Sequence, residues 1–289
     1  MSLKASEFIL NEDGSIYHLN LRPEHLADTV ITVGDPDRVD QVTKHFDEIE
    51  ISVKKREFHT QTGTYHGKRI TVISTGIGTD NIDIVFNELD ALANIDFEKK
   101  EIKKELKSLD IVRIGTTGSI QAEIPIDSFL LSEKAVGFDG LLHFYQADQF
   151  LDQDFSEAFV KHMDWNAKKA TPYVVENSKD LQQKLNSDTI YKGVTATNIG
   201  FYGPQGRSLR LSLQDAEMND KLAKFEFQDQ KITNLEMETS GIYGMSKLLG
   251  HNAVSMNVIL ANRATGEFTK TPKETMEKLI IYCLDKLAN

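Results

Sequence analysis

Two segments set an arginine beside a glycine-ended apolar run, a pairing suited to holding an anion. They are Gly34-Asp35-Pro36-Asp37-Arg38, which follows Thr29-Val30-Ile31-Thr32-Val33, and Arg113-Ile114-Gly115-Thr116-Thr117-Gly118. Glycine lets backbone N–H groups approach an anion, a helix start favours negative charge, and arginine adds forked, permanently charged donors. Open α/β sheets place ligands at such strand ends. An ordinary strand–turn–helix junction explains either segment alone, whereas the two together favour phosphate. The GxxxxGK[ST] of a P-loop is absent, and Gly76-Ile77-Gly78-Thr79-Asp80-Asn81 lacks the third glycine of a dinucleotide fingerprint.

A second cluster, Asn234-Leu235-Glu236-Met237-Glu238-Thr239-Ser240, sets two carboxylates just before a helix. Such a pair can grip vicinal hydroxyls, as in ribose, although acids at a helix start also serve the helix dipole alone. A third, Phe201-Tyr202-Gly203-Pro204-Gln205-Gly206-Arg207, is an aromatic, turn-rich loop. Gln205 offers a donor and an acceptor while Arg207 offers only donors, which suits a planar imide edge beside a stacking surface. A surface loop with incidental polar residues is the plainer reading. Other chemistries fail on inspection. The eight histidines include no HExxH, His59 and His66 across a hairpin lack thiolate companions, and no GxSxG elbow occurs. Cys283, the one cysteine, falls in a late apolar helix as an inert core thiol, and without an internal disulfide the expected home is a reducing cytoplasm.

These residues need elements to position them. Short β-branched runs alternate with longer amphipathic ones, the pattern of an α/β fold. Thr29–Val33 reads as a buried strand, and Asp35-Pro36 as the cap and first turn of a helix reaching about Phe46. Residues 49–75 read as a hairpin turning at His66-Gly67-Lys68, and residues 81–92 as a helix with Ile84, Val85 and Leu89 inward. Residues 111–114 form a second buried strand ending at Gly115. Later strands are expected near 128–134, 190–198 and 253–260, with closing helices at about 239–249 and 272–288. Residues 95–109 read as a helical insertion. Its charge run, 98–107, is a solvated face with Ile102, Leu106 and Leu109 inward, because glutamates interrupt the lysines.

The chain has 289 residues, 40% apolar and 27% charged, which fits one domain over 1–289 with residues 1–16 as an N-terminal extension. No run approaches the ~20 apolar residues of a membrane span, and residues 1–7 lack the apolar core of a secretory signal. Basic residues number 33 against 44 acidic, a net charge of −11 that argues against nucleic acid as a partner. An anion site here needs arginines clustered against the global field.

In chain order, Gly34-Asp35-Pro36-Asp37-Arg38, Lys55-Arg56-Glu57-Phe58, Ser74-Thr75-Gly76-Ile77-Gly78, Arg113-Ile114-Gly115-Thr116-Thr117-Gly118 and Glu236-Met237-Glu238 resemble nucleoside phosphorylase family I. The resemblance runs from about Tyr17 to the C-terminus. Phe201-Tyr202 with Gln205-x-Arg207, and Asn262-Arg263, resemble its uridine-cleaving members. The family implies a three-layer α/β sandwich around a mixed, partly closed central sheet. It implies a homo-hexamer built from dimers, each site completed by a neighbour.

By that resemblance Gly34, Arg38, Arg113 and Thr116 bind phosphate, with Arg56 from the neighbouring subunit. Met237 and Glu238 hold the ribose, with His18 from that neighbour. Gly118, Phe201, Gln205, Arg207 and Arg263 meet the base, and Arg38, Arg113, Arg207 and Glu238 carry catalysis. The implied reaction is phosphorolysis of uridine to uracil and ribose 1-phosphate in pyrimidine salvage, with deoxyuridine and thymidine as further substrates to test. Inorganic phosphate is the co-substrate, with no cofactor, no metal ligand set, no nucleic acid and no membrane involved. A purine nucleoside phosphorylase or nucleosidase of the same fold is one alternative, and a non-catalytic nucleoside-binding protein another. Residues 260–265, Leu-Ala-Asn-Arg-Ala-Thr, hold no carboxylate to protonate a purine. The chain departs from the family's pattern at Tyr17, at Ala261, which leaves room for a 5-substituted uracil, and at Asn81, which replaces a serine at a monovalent-cation position near Glu57.

Overall fold

The β-branched run Thr29–Val33 forms strand β1, buried along its length, in the computed structural model, which describes residues 2–289. Met1, first residue of the expected N-terminal extension, lies outside the described residues. Helix α1 (Pro36–Thr43) follows, capped by Asp35, whose carboxylate accepts the Asp37 N–H. A meander comes next: β2 (Glu48–Lys55), β3 (Phe58–Tyr65) and β4 (Lys68–Ser74). The expected hairpin therefore has an additional turn at Arg56-Glu57, with Arg56 at a φ of 55°.

Helix α2 (Thr79–Asn94) leads to two short strands, β5 (Ile95–Asp96) and β6 (Glu101–Ile102). Residues 95–109 are thus not the helical insertion expected from their charge pattern. The Asp96 side chain accepts from the Glu98 and Lys99 N–H groups, a local bond that draws the backbone into a turn in place of a helix. Leu109 is buried as expected, but Ile102 and Leu106 are 65% and 66% exposed. Without an inward stripe, nothing would hold a helix to the core.

The long strand β7 (Asp110–Ser119) does not end at Gly115, as its sequence suggests, because two neighbours hold it further. Then come β8 (Phe129–Gly137), α3 (Gln153–Met163), β9 (Tyr173–Glu176), α4 (Lys179–Leu185) and β10 (Tyr191–Thr197). The chain closes with α5 (Met218–Lys224), β11 (Glu226–Phe227), β12 (Gln230–Glu236), α6 (Thr239–Leu249), β13 (Asn252–Asn262), β14 (Glu267–Phe268) and α7 (Pro272–Ala288).

The main sheet is mixed and partly closed. Strands β12, β10, β8, β13 and β7 lie side by side, and β12 then pairs with β7, Asn234 opposite Ser119 and Leu235 opposite Gly118, which completes a ring. From β7 the sheet continues outward through β1, β4, β3 and β2 as an open wing. Side chains alternate between its faces with period two. Val30, Ile73 and Ile111 pack with α2 and α6, while Ile31, Val72 and Val112 pack with α1 and α7, where Cys283 is buried. The result is the expected helix–sheet–helix sandwich. Among the described residues no helix is long and apolar enough to cross a membrane.

Candidate active site

The C-terminal ends of β1, β4, β7 and β12 gather the polar residues singled out above. Arg113 is almost fully buried, and its guanidinium folds back along its own strand. A Cβ on Gly115 would stand 1.9 Å from Arg113 Nη1, so only glycine leaves the space. Nη1 donates to Asn257 Oδ1 at 2.6 Å, and Nη2 donates to Glu238 Oε2 at 2.6 Å with Glu236 Oε2 at 3.2 Å. Burial alone would pull the guanidinium down, but Glu236 and Glu238 outweigh it and hold its pKa above the ordinary value.

The two carboxylates divide their work. Glu236 caps α6: its oxygens accept the Glu238 and Thr239 N–H groups at 2.9 Å and the Thr197 hydroxyl at 2.7 Å. Glu238, paired with Arg113 through Oε2, accepts the Gly78 N–H through Oε1 at 2.9 Å. Burial raises its pKa, with Arg113 opposing and Glu236 reinforcing. The sequence argument about acids at a helix start therefore fits Glu236, while Glu238 is buried with one oxygen on Arg113 and the other on the Gly78 N–H. Met237 between them is half-buried.

Arg38, on α1, reaches across to the strand of Arg113, where its Nη1 donates to Ile114 O at 3.4 Å. Burial and the nearby Arg113 charge lower its pKa. Gly34 stands beside the Gly76 carbonyl, 3.6 Å from where its Cβ would lie, which joins the two glycine loops. Thr116 and Gly118 are half-exposed on β7, alternating with buried Thr117.

In the loop at 201–207 Phe201 and Tyr202 are exposed while Gln205 is buried. A short 3₁₀ turn, Gly203–Gln205, buries the Gln205 side chain. Arg207 Nη1 donates to Gln205 Oε1 at 2.6 Å and to Phe201 O at 2.7 Å, and its guanidinium lies 3.8 Å from the Phe201 ring centre. Arg263 Nη1 donates to the Gln205 carbonyl. Burial, then Arg207, lowers the Arg263 pKa to about 10, so it stays charged at neutral pH. Its Nη2 is buried without a partner among the described residues. Gly118 adjoins this group, its added Cβ 3.8 Å from both Arg263 Nε and the Ala261 carbonyl. A cavity of about 840 Å³ borders the loop and includes Tyr202, Arg207 and Asp139 in its lining, but not Gln205 or Glu238. It adjoins the polar cluster rather than containing it.

Two expected residues stand apart from this cluster. Arg56 is exposed at the tip of the β2–β3 turn. His18 is held by Glu88, whose carboxylate lies 2.7 Å from its Nδ1 and accepts its backbone N–H at 3.0 Å. Glu57 and Asn81 flank Gly76, whose added Cβ would meet Asn81 Nδ2 at 2.6 Å and Glu57 Cγ at 3.2 Å. Sequence reasoning missed Glu88, Thr197 and Asn257. Asn257 had a signal, an amide inside the apolar run 253–260, where burial demands a partner.

A family model described as the phosphorylase superfamily matches residues 28–284. The chain belongs to the phosphorylase superfamily. Among superfamily relatives, the uridine phosphorylase of Haemophilus influenzae is 30% identical over 270 residues, 92% of this chain and 94% of that protein. The uridine phosphorylase of Thermococcus kodakarensis is 28% identical over 90% of this chain and 82% of its own. A crystal structure of a Trypanosoma brucei nucleoside phosphorylase, reported to show uridine phosphorylase activity, matches with a TM-score of 0.88 at 28% identity. It covers 97% of this chain and 99% of that one.

Proposed function

We infer that this chain is a pentosyltransferase that cleaves uridine with inorganic phosphate to uracil and ribose 1-phosphate. The observations that carry the reading are the meeting of Arg38, Arg113 and Glu238 and the second group in which Arg207 and Arg263 both bond Gln205. Similarity to uridine phosphorylases over nearly the whole chain supports it.

Breaking the N-glycosidic bond develops positive charge on the sugar and negative charge on the base. Phosphate is itself the nucleophile, so no side chain needs to attack. Arg38 and Arg113, with Gly34 and Thr116, hold it beneath C1′, supplying orientation and attraction to the forming cation. Glu238 and Met237 hold the ribose. Gln205 and Arg207 read the O2, N3 and O4 edge of uracil, with Phe201 beside it, Gly118 leaving room and Arg263 supporting the loop. Arg207 stabilises the departing uracil anion more than the neutral base, which is differential binding. No cofactor enters this scheme. Arg56 and His18 would complete a neighbour's site, which extends the proposal to a homo-hexamer built from dimers, working in the cytoplasm in pyrimidine salvage.

The test is uracil release from uridine, followed by ultraviolet absorbance, with and without phosphate. Release that depends on phosphate is expected. Equal release without it would make the enzyme a hydrolase, and nucleoside binding without any product would favour a binding protein. Thymidine and 5-bromouridine in the same assay probe the room beside Ala261.

A further inference from the structure

Asp139 follows β8 and lines the cavity beside Tyr202 and Arg207, and its carboxylate accepts from three donors. Oδ1 accepts the Leu141 N–H and the Tyr173 hydroxyl, both at 2.8 Å, and Oδ2 accepts the Ser240 hydroxyl at 2.9 Å. Tyr173 comes from β9 and is fully buried. It reaches Asp139 because residue 137 is glycine, where an added Cβ would meet Tyr173 Cζ at 2.4 Å. Burial and the Asp139 charge keep that hydroxyl protonated, so it remains a donor.

Ser240 belongs to the first turn of α6, the turn whose N-cap is Glu238. Three acceptors from separate parts of the sheet hold this turn. Glu236 on β12 takes the Thr239 N–H, Thr197 on β10 takes the Ser240 N–H at 3.0 Å, and Asp139 after β8 takes the Ser240 hydroxyl. A negative charge here is also favoured by the positive end of the helix dipole. A carboxylate suits the position because it accepts from the Leu141 N–H and from both hydroxyls at once, whereas an amide keeps a single acceptor oxygen and would force a hydroxyl to turn and accept.

We propose that Asp139 is a positioning residue: through Ser240 it fixes the first turn of α6, and with it the Glu238 carboxylate that grips the ribose hydroxyls. The proposal rests on the role given to Glu238 under the proposed function. If Glu238 loses its alignment, a substrate with a 2′-hydroxyl suffers more than one without it.

The experiment compares kcat/KM for uridine and 2′-deoxyuridine in the unmodified chain, in Asp139→Asn and in Ser240→Ala, with melting temperatures alongside. Ser240→Ala removes the bond to Asp139 and a 3.1 Å bond accepted from the Tyr173 hydroxyl, at little cost in volume, so it remains informative if Asp139→Asn folds poorly. The expected result is a loss of about tenfold for uridine in each variant, with the uridine-to-deoxyuridine ratio falling toward one. An equal loss for both nucleosides, or none, overturns the role of Asp139. Phosphate-dependent uracil release by the unmodified chain is read first; its absence overturns the functional reading instead.

Discussion

Arginine 207 shows how much one residue's surroundings decide. Its guanidinium is committed on one side to Gln205 and the Phe201 carbonyl and stacks on the Phe201 ring, so its remaining donors are held in one orientation. A lysine could not reproduce that fork. Replacing Arg207 by alanine is expected to lower kcat/KM for uridine by about a hundredfold, the typical loss of one oriented, charged donor in a transition state. Steady-state kinetics check it, and an unchanged kcat/KM would remove Arg207 from the reaction. The same fork predicts poor use of cytidine, whose 4-amino group would face a donor.

At the scale of elements, Asp152 does two things at once. It caps α3 by accepting the Phe155 N–H at 3.1 Å and pairs with Lys134 at 2.6 Å, an ammonium that Glu176 also approaches at 3.3 Å. Burial would raise the Asp152 pKa, but Lys134 and the cap bond outweigh it and the net shift is downward. A depressed carboxylate pKa adds stability that is present above the unfolded value and lost as pH falls through the folded one. Asp152→Ala is expected to cost about 2 kcal/mol in chemical denaturation near neutral pH, of which the cap supplies about 1. It should also flatten the decline in stability below the ordinary aspartate range. Elements such as β1, α6 and α7 were legible in the sequence because their apolar period and caps agree. The segment at 95–109 was not, because a side-chain bond from Asp96 overrode a helix-like charge pattern. Nor was the length of β7, whose glycines read as a turn until the partners β12 and β13 are known. The site itself was read as three separate motifs. Their meeting, and the supporting Asn257, Glu88 and Thr197, depend on pairings distant in sequence that no local pattern encodes.

For the molecule as a whole, the proposed completion of a neighbour's site by Arg56 and His18 carries its own test: if sites are shared, activity depends on association. Mixing Arg56→Ala chains with Arg207→Ala chains after dissociation should restore activity toward about a quarter of the unmodified level, since each mixed dimer holds one intact site of two. No recovery on mixing would mean that each chain works alone. The ring made by the β7–β12 pairing carries a further consequence. Arg113 and Glu238 lie 125 positions apart in the chain and meet beside that seam. A hoop has no loose edge from which to fray, so these strands part only when the whole hoop opens. The outer wing at β2 can exchange its amide protons with solvent long before the strands that carry the reaction do. During refolding, helices and hairpins form from near neighbours, whereas this seam must wait for distant segments to find one another. Recovery of activity on refolding is therefore expected to lag behind recovery of helical circular dichroism, because Arg113 and Glu238 meet only across that long separation.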